Sequence, residues 1–108
     1  MEQNNPTEQQ IRTIAEYDGE QHQVHFFRLH NSTSCYTLGE LTIMYSSNLV
    51  QLNRVWAKVY SELAFGIKMD NYEMIFFVDS YHTAIDTNNI PAACIAVAEA
   101  VEFLNSLK

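Results

Sequence analysis

The chain has 108 residues, 47% of them hydrophobic and 12% aromatic, with only three glycines and two prolines. A chain of this size buries roughly two thirds of its unfolded surface in one core without metal or disulfide staples, and this composition excludes low complexity and wholesale disorder. Thirteen acidic residues against six basic ones give a net charge of −7, which argues against direct nucleic-acid or membrane binding, since both draw on several Lys or Arg contacts.

Residues 1–6, MEQNNP, offer nothing to bury and are expected to be disordered, leaving 7–108 as one domain. From Thr7 two readings compete. In one, residues 11–17 form a strand, Asp18-Gly19 a two-residue turn, and 20–29 the returning strand, pairing Ile11 with Phe26, Thr13 with Val24 and Ala15 with His22. In the other, Thr7 caps a helix with Gln10 at the capping-box position, Ile11, Ile14 and Ala15 form its buried stripe, and Gly19 ends it. The hairpin is the preferred reading. Residues 36–45 repeat the ambiguity: Leu41, Ile43 and Tyr45 alternate as in a strand, whereas Thr37 and Glu40 have capping-box spacing. β-Branched and aromatic content favours the strand.

Residues 48–65 read as a helix. Asn48 suits the N-cap, Gly66 suits its close, and Leu49, Leu52, Val55, Trp56, Val59, Tyr60 and Leu63 recur at helical spacing. Residues 73–79, EMIFFVD, form a continuous apolar run of strand length, which predicts a central strand covered on both faces. Residues 80–89 read as a polar connection. The last segment, 90–107, has its polar residues Glu99, Glu102 and Ser106 in one narrow stripe, so as a helix it is apolar around most of its girth. Asn89 is its expected cap and Pro91 fits its first turn. The assembled expectation is a single small α+β domain, order β-β-β-α-β-α, with about four mostly antiparallel strands and two helices on one face.

No catalytic motif stands out. His22, His25 and His30 crowd together, but on a strand His22 and His25 point to opposite faces, and no third and fourth ligand completes a zinc site. Asp79, Ser80 and His82 follow the expected central strand, yet no nucleophile elbow or oxyanion motif accompanies them. Cys35 and Cys94 are the only cysteines, too few for a disulfide framework. No apolar segment follows Met1, and the longest uncharged apolar run, 90–98, falls short of the roughly 20 residues that span a bilayer. These features predict a reduced, cytoplasmic setting without cofactor or metal.

The functional expectation is therefore a non-enzymatic binding module, of the inhibitor, immunity or antagonist kind, that covers the basic surface of a protein partner. Tyr17, Asp18 and Glu20 at the expected hairpin tip, with Asp70, Tyr72 and Glu73 at another loop, are its predicted contacts, because tyrosine anchors interfaces and acids seek basic surfaces. One alternative is an enzyme or small-ligand binder with a site after the 73–79 strand, built from Asp79, His82 and Cys35. Another is an oligomer subunit, a homodimer joined through uncovered apolar surface on the last helix.

Overall fold

Five α-helices dominate the described residues, in the order α1 (Glu8–Asp18), α2 (Leu38–Ser47), α3 (Leu49–Ser61), α4 (Asn71–Asp86) and α5 (Ile90–Ser106). Three short strands, β1 (Gly19–Gln23), β2 (Phe26–Leu29) and β3 (Cys35–Thr37), form one antiparallel sheet in sequence order between α1 and α2. The computed structural model describes residues 5–23, 26–29, 34–66 and 71–107. The expected four-strand α+β fold with two helices is thus overturned: the molecule is mainly helical, and its sheet is a small appendage.

The helix α5 sits at the centre, with α1, α2, α3 and α4 all packed against it. Its start is as the sequence indicated: the Asn89 side chain accepts from the Ala92 amide at 3.1 Å, and Pro91 lies in the first turn. Ala93, Cys94, Val97, Ala98, Ala100, Val101 and Leu104 are fully or almost fully buried, while Glu99, Glu102 and Asn105 form the exposed stripe. Alanines at three of these buried positions let neighbouring helices approach closely, so four helices can share one axis.

Both ambiguous amino-terminal segments are settled by their caps. Thr7 and Gln10 exchange reciprocal bonds of 3.1 and 2.8 Å, and Thr37 and Glu40 do the same at 3.2 and 2.9 Å. Each pair satisfies amides that a helix start would otherwise leave without partners. Ile11, Ile14 and Ala15 are then buried on α1. On α2 the buried residues are Leu41 and Tyr45, one helical turn apart, and Ile43 is 70% exposed, so the apparent alternation marks a helix with one apolar residue facing water. The preferred pairing of Ile11, Thr13 and Ala15 with 22–26 is wrong because those residues lie on α1.

A hairpin does exist, one element later. Gly19 pairs with Leu29, Glu20 with Arg28 and Gln21 with Phe27, while Phe27 in turn faces Tyr36 of β3. Gly19 ends α1 in an extended conformation; a Cβ there would lie 2.1 Å from the Arg28 carbonyl oxygen, so close strand approach requires glycine.

The largest departure is at 71–86. The expected central strand is the first half of α4, and the supposed polar connection is its second half. Phe77, Tyr81 and Ala84, at i, i+4 and i+7, are buried toward the core, a stripe that runs straight through the polar part of the sequence. Asn88, at φ 56°, closes α4: its amide bonds the Ile85 carbonyl at 3.0 Å and the Asn89 amide bonds that of Ala84 at 2.8 Å. This Schellman arrangement uses asparagine where glycine is commoner.

Candidate functional site

One of the predicted contact residues is withdrawn from the surface. Asp18 is not at a hairpin tip; it ends α1 and is only 3% exposed. Its carboxylate accepts two guanidinium bonds from Arg54 of α3, both at 2.6 Å, and a 2.6 Å bond from the Tyr45 hydroxyl of α2. These bonds hold three helices together and take the carboxylate away from any partner. Bonding to Asp18 raises the Arg54 pKa, and burial, reinforced by the Asp18 charge, drives the Tyr45 hydroxyl far above its ordinary value.

Tyr17 is half-buried next door. Its hydroxyl donates to Glu62 in the π-helical turn Glu62–Gly66, and Lys58 lies 4.3 Å from its ring centre while donating to its backbone carbonyl at 3.1 Å. Together with Glu16 and Asn105 these groups line a polar depression of about 280 Å³. Glu20 lies in β1 and Tyr72 in the first turn of α4, whereas Asp70 falls outside the described residues. Glu73 is exposed on α4.

The cations follow a pattern. Arg54 and Lys58 are turned toward α1, and Arg12 reaches Glu8 at 4.0 Å and the Phe27 ring at 5.5 Å. Residues 71–107, by contrast, contain Glu73, Asp79, Asp86, Glu99 and Glu102 and no Lys or Arg. Among the described residues, Arg12, Arg54 and Lys58 thus direct their charge toward α1 and its neighbours, and α4 and α5 carry no cation.

The helices α3 and α4 run antiparallel, separated by aromatic side chains. Trp56 of α3 stacks on Tyr81 of α4 with ring centres 4.3 Å apart and planes 14° from parallel, and the Tyr81 hydroxyl donates to Asn53 at 3.0 Å. Burial pushes that hydroxyl up to about 12. Outside this stack a groove opens. At one end Leu49, Val50, Asn53, His82 and Ile85 surround a depression of about 370 Å³. At the other Tyr60, Met74, Ile75, Val78, Asp79 and His82 surround one of about 280 Å³. A third, of about 490 Å³, lies over the Ile75 ridge beside Glu73 and Phe76.

Several exposed apolar residues lie at or beside this groove: Val50 is 77% exposed, Ile75 62% and Phe76 58%, with Leu49 and Tyr60 near 40%, while Ile43, Leu107 and Phe26 are exposed elsewhere. Sequence reasoning missed them because it treated 73–79 as covered on both faces. The signal was present in the doubled apolar load of the segment: Phe77 satisfies the core, and Ile75 and Phe76 are surplus to it.

For the catalytic alternative, Asp79 and His82 do line one depression, but Cys35 is on β3, a separate element, and the three do not converge there. Asp79 and His82 form neither a hydrogen bond nor an ion pair with each other. Among the described residues no group of three or more His, Cys, Asp or Glu is placed to hold a metal ion. His25 and His30 lie outside those residues, as do the side-chain surroundings of His22. Cys94 is a buried free thiol whose pKa burial pushes up to about 12, and Cys35 is free and exposed. Among the described residues no helix is long and apolar enough to cross a membrane. No protein-family model matches the chain, and neither a curated protein nor a solved structure does.

Proposed function

We propose that the protein is a binding module of the inhibitor or antagonist kind, and that it captures a protein partner on the outer face of α3 and α4. The observation that carries this reading is the pair Ile75 and Phe76, 62% and 58% exposed on a helix whose only charged residues are acidic. Adjacent large apolar side chains bared to water mark a contact surface more often than a resting one. A carboxylate rim around them favours a partner with Lys and Arg around its own apolar centre, and speeds the encounter. Of the contacts expected from sequence, Glu73 belongs to this face; Asp18 is withdrawn into the core.

The test is capture from a cell extract with the full chain and with an Ile75→Ser/Phe76→Ser variant, at low and high salt. The reading expects a protein held by the wild type, lost from the variant, and held more weakly as salt rises. Equal capture by both chains would place the interface elsewhere. Sedimentation of the chain alone separates this outcome from self-association: a monomer is expected.

A further inference from the structure

Resting on the docking-face reading, we infer that the occupant of the α3–α4 groove is an amphipathic α-helix of about three turns with Lys or Arg at i and i+7 beside its apolar ridge. Three observations lead there. The groove runs from Leu49 to Tyr60 on one wall and from Met74 to Ile85 on the other. The twelve residues of helix on each wall span eleven rises, about 16 Å, the length of three helical turns.

The walls also decide the occupant's backbone. Both are regular helices whose amides and carbonyls are bonded within themselves, so the groove has side chains to present but no free strand edge. A segment lying in it cannot recruit main-chain bonds as an added strand would. It must satisfy its own backbone, and a helix is the structure that does so while showing an apolar ridge at i, i+3 or i+4, and i+7. The two depressions, in line and sharing His82, are the receptors for successive ridge residues.

Charge sets the flanks. Ile75, Asp79, His82 and Asp86 follow one another along a single stripe of α4, and the two carboxylates on it are seven residues, about 10.5 Å, apart. A facing helix matches that spacing with cations at i and i+7. A second copy of this chain fits that spacing less well, because its own residues 71–107 bring carboxylates and no Lys or Arg, and three of its six cations, Arg12, Arg54 and Lys58, are engaged on the α1 side.

The probe is a labelled synthetic peptide of about 15 residues, long enough to form helix, with Leu on one face and Lys at i and i+7 beside it. Its counterpart has the same residues with two central positions changed to proline, which forbids the helix. Binding to the full chain is followed by fluorescence anisotropy at low and high salt. The helical peptide is expected to bind at least about tenfold more tightly than the proline one, a difference of about 1.4 kcal/mol.

That binding should fall about tenfold in Ile75→Ser/Phe76→Ser. It should fall similarly, mostly at low salt, in Asp79→Lys/Asp86→Lys, and hold in Glu99→Lys/Glu102→Lys. All four positions of the first two variants are on the surface, and circular dichroism checks that each folds. Equal binding of both peptides, still dependent on Ile75 and Phe76, would overturn the helix and leave the docking face standing. Binding indifferent to every surface variant would overturn both. Absence of binding by the helical peptide would overturn the helix, with the face then judged by extract capture.

Discussion

The helices α4 and α5 are neighbours of nearly equal length, 16 and 17 residues, and both are rich in apolar side chains. They use that apolarity in opposite ways. Around α5 four helices close, and its apolar residues from Ala93 to Leu104 are buried apart from Ile95 and Phe103, which are partly so. Among the residues of α4 whose burial is described, Phe77, Tyr81 and Ala84 meet that standard, and Ile75 and Phe76 stand in water. A greasy helix is therefore not by itself a buried one. What distinguishes the two is whether the chain supplies enough neighbours to cover every side, and for α4 it does not.

The contrast is broken most severely by placing a carboxylate on each helix. Val97→Asp on α5 would bury a charge with no partner and is expected to cost more than about 5 kcal/mol, abolishing the fold. Ile75→Asp on α4 should change stability by less than about 0.5 kcal/mol, because the position is already solvated. Urea denaturation of the two variants checks this; similar losses would mean that the outer face of α4 is covered in solution.

The next effect concerns charge rather than apolarity. Asp18→Asn leaves Arg54 and Tyr45 without the carboxylate they share, and should cost about 3 kcal/mol in chemical denaturation. Asp79→Asn, at the acidic rim of α4, should cost almost nothing. Equal effects would contradict the division between charge spent inside and charge left outside.

A smaller effect follows from pH. Burial raises the Cys94 thiol of α5 from 9.0 and the Tyr81 hydroxyl of α4 from 10.0, each to about 12, and Tyr45 shifts the same way. Folded, these groups keep their protons at pH values where the unfolded chain has lost them. Their contribution is whole below pH 9 and declines as pH rises, with a slope of up to about 1.4 kcal/mol per pH unit for each group. The Cys94→Ala variant should lose the part of that decline that begins near pH 9 and keep the part that begins near pH 10. An unchanged profile would show that the thiol is reached by water.

Legibility in the sequence tracked how many constraints each segment carried. The last helix announced itself through its cap, its proline and its polar stripe together, and α3 through Asn48 and a long apolar periodicity. The caps at Thr7 with Gln10 and Thr37 with Glu40 were visible, but the Asp18-Gly19 turn signal outweighed the first and β-branched and aromatic content the second, although two satisfied amides at a helix start are a local commitment and β-propensity is a statement about surroundings. The segment 73–79 misled because seven residues cannot tell a strand covered on both faces from a helix apolar on both sides; only the recurrence of Phe77, Tyr81 and Ala84 beyond it does so. The groove between α3 and α4 was hidden for the same reason, since it requires knowing that the two helices lie side by side. The π-helical turn that carries Glu62 to Tyr17 left no sequence signal we can identify.

Amide hydrogen exchange of the chain, alone and saturated with the helical peptide or with a partner found by the proposed capture, tests the central contrast most directly. The account predicts new protection on residues 49–60 and 73–86, with exchange along 90–106 slow and unchanged in both states. Protection confined to α1 and the sheet, or rapid exchange within α5 of the free chain, would contradict it.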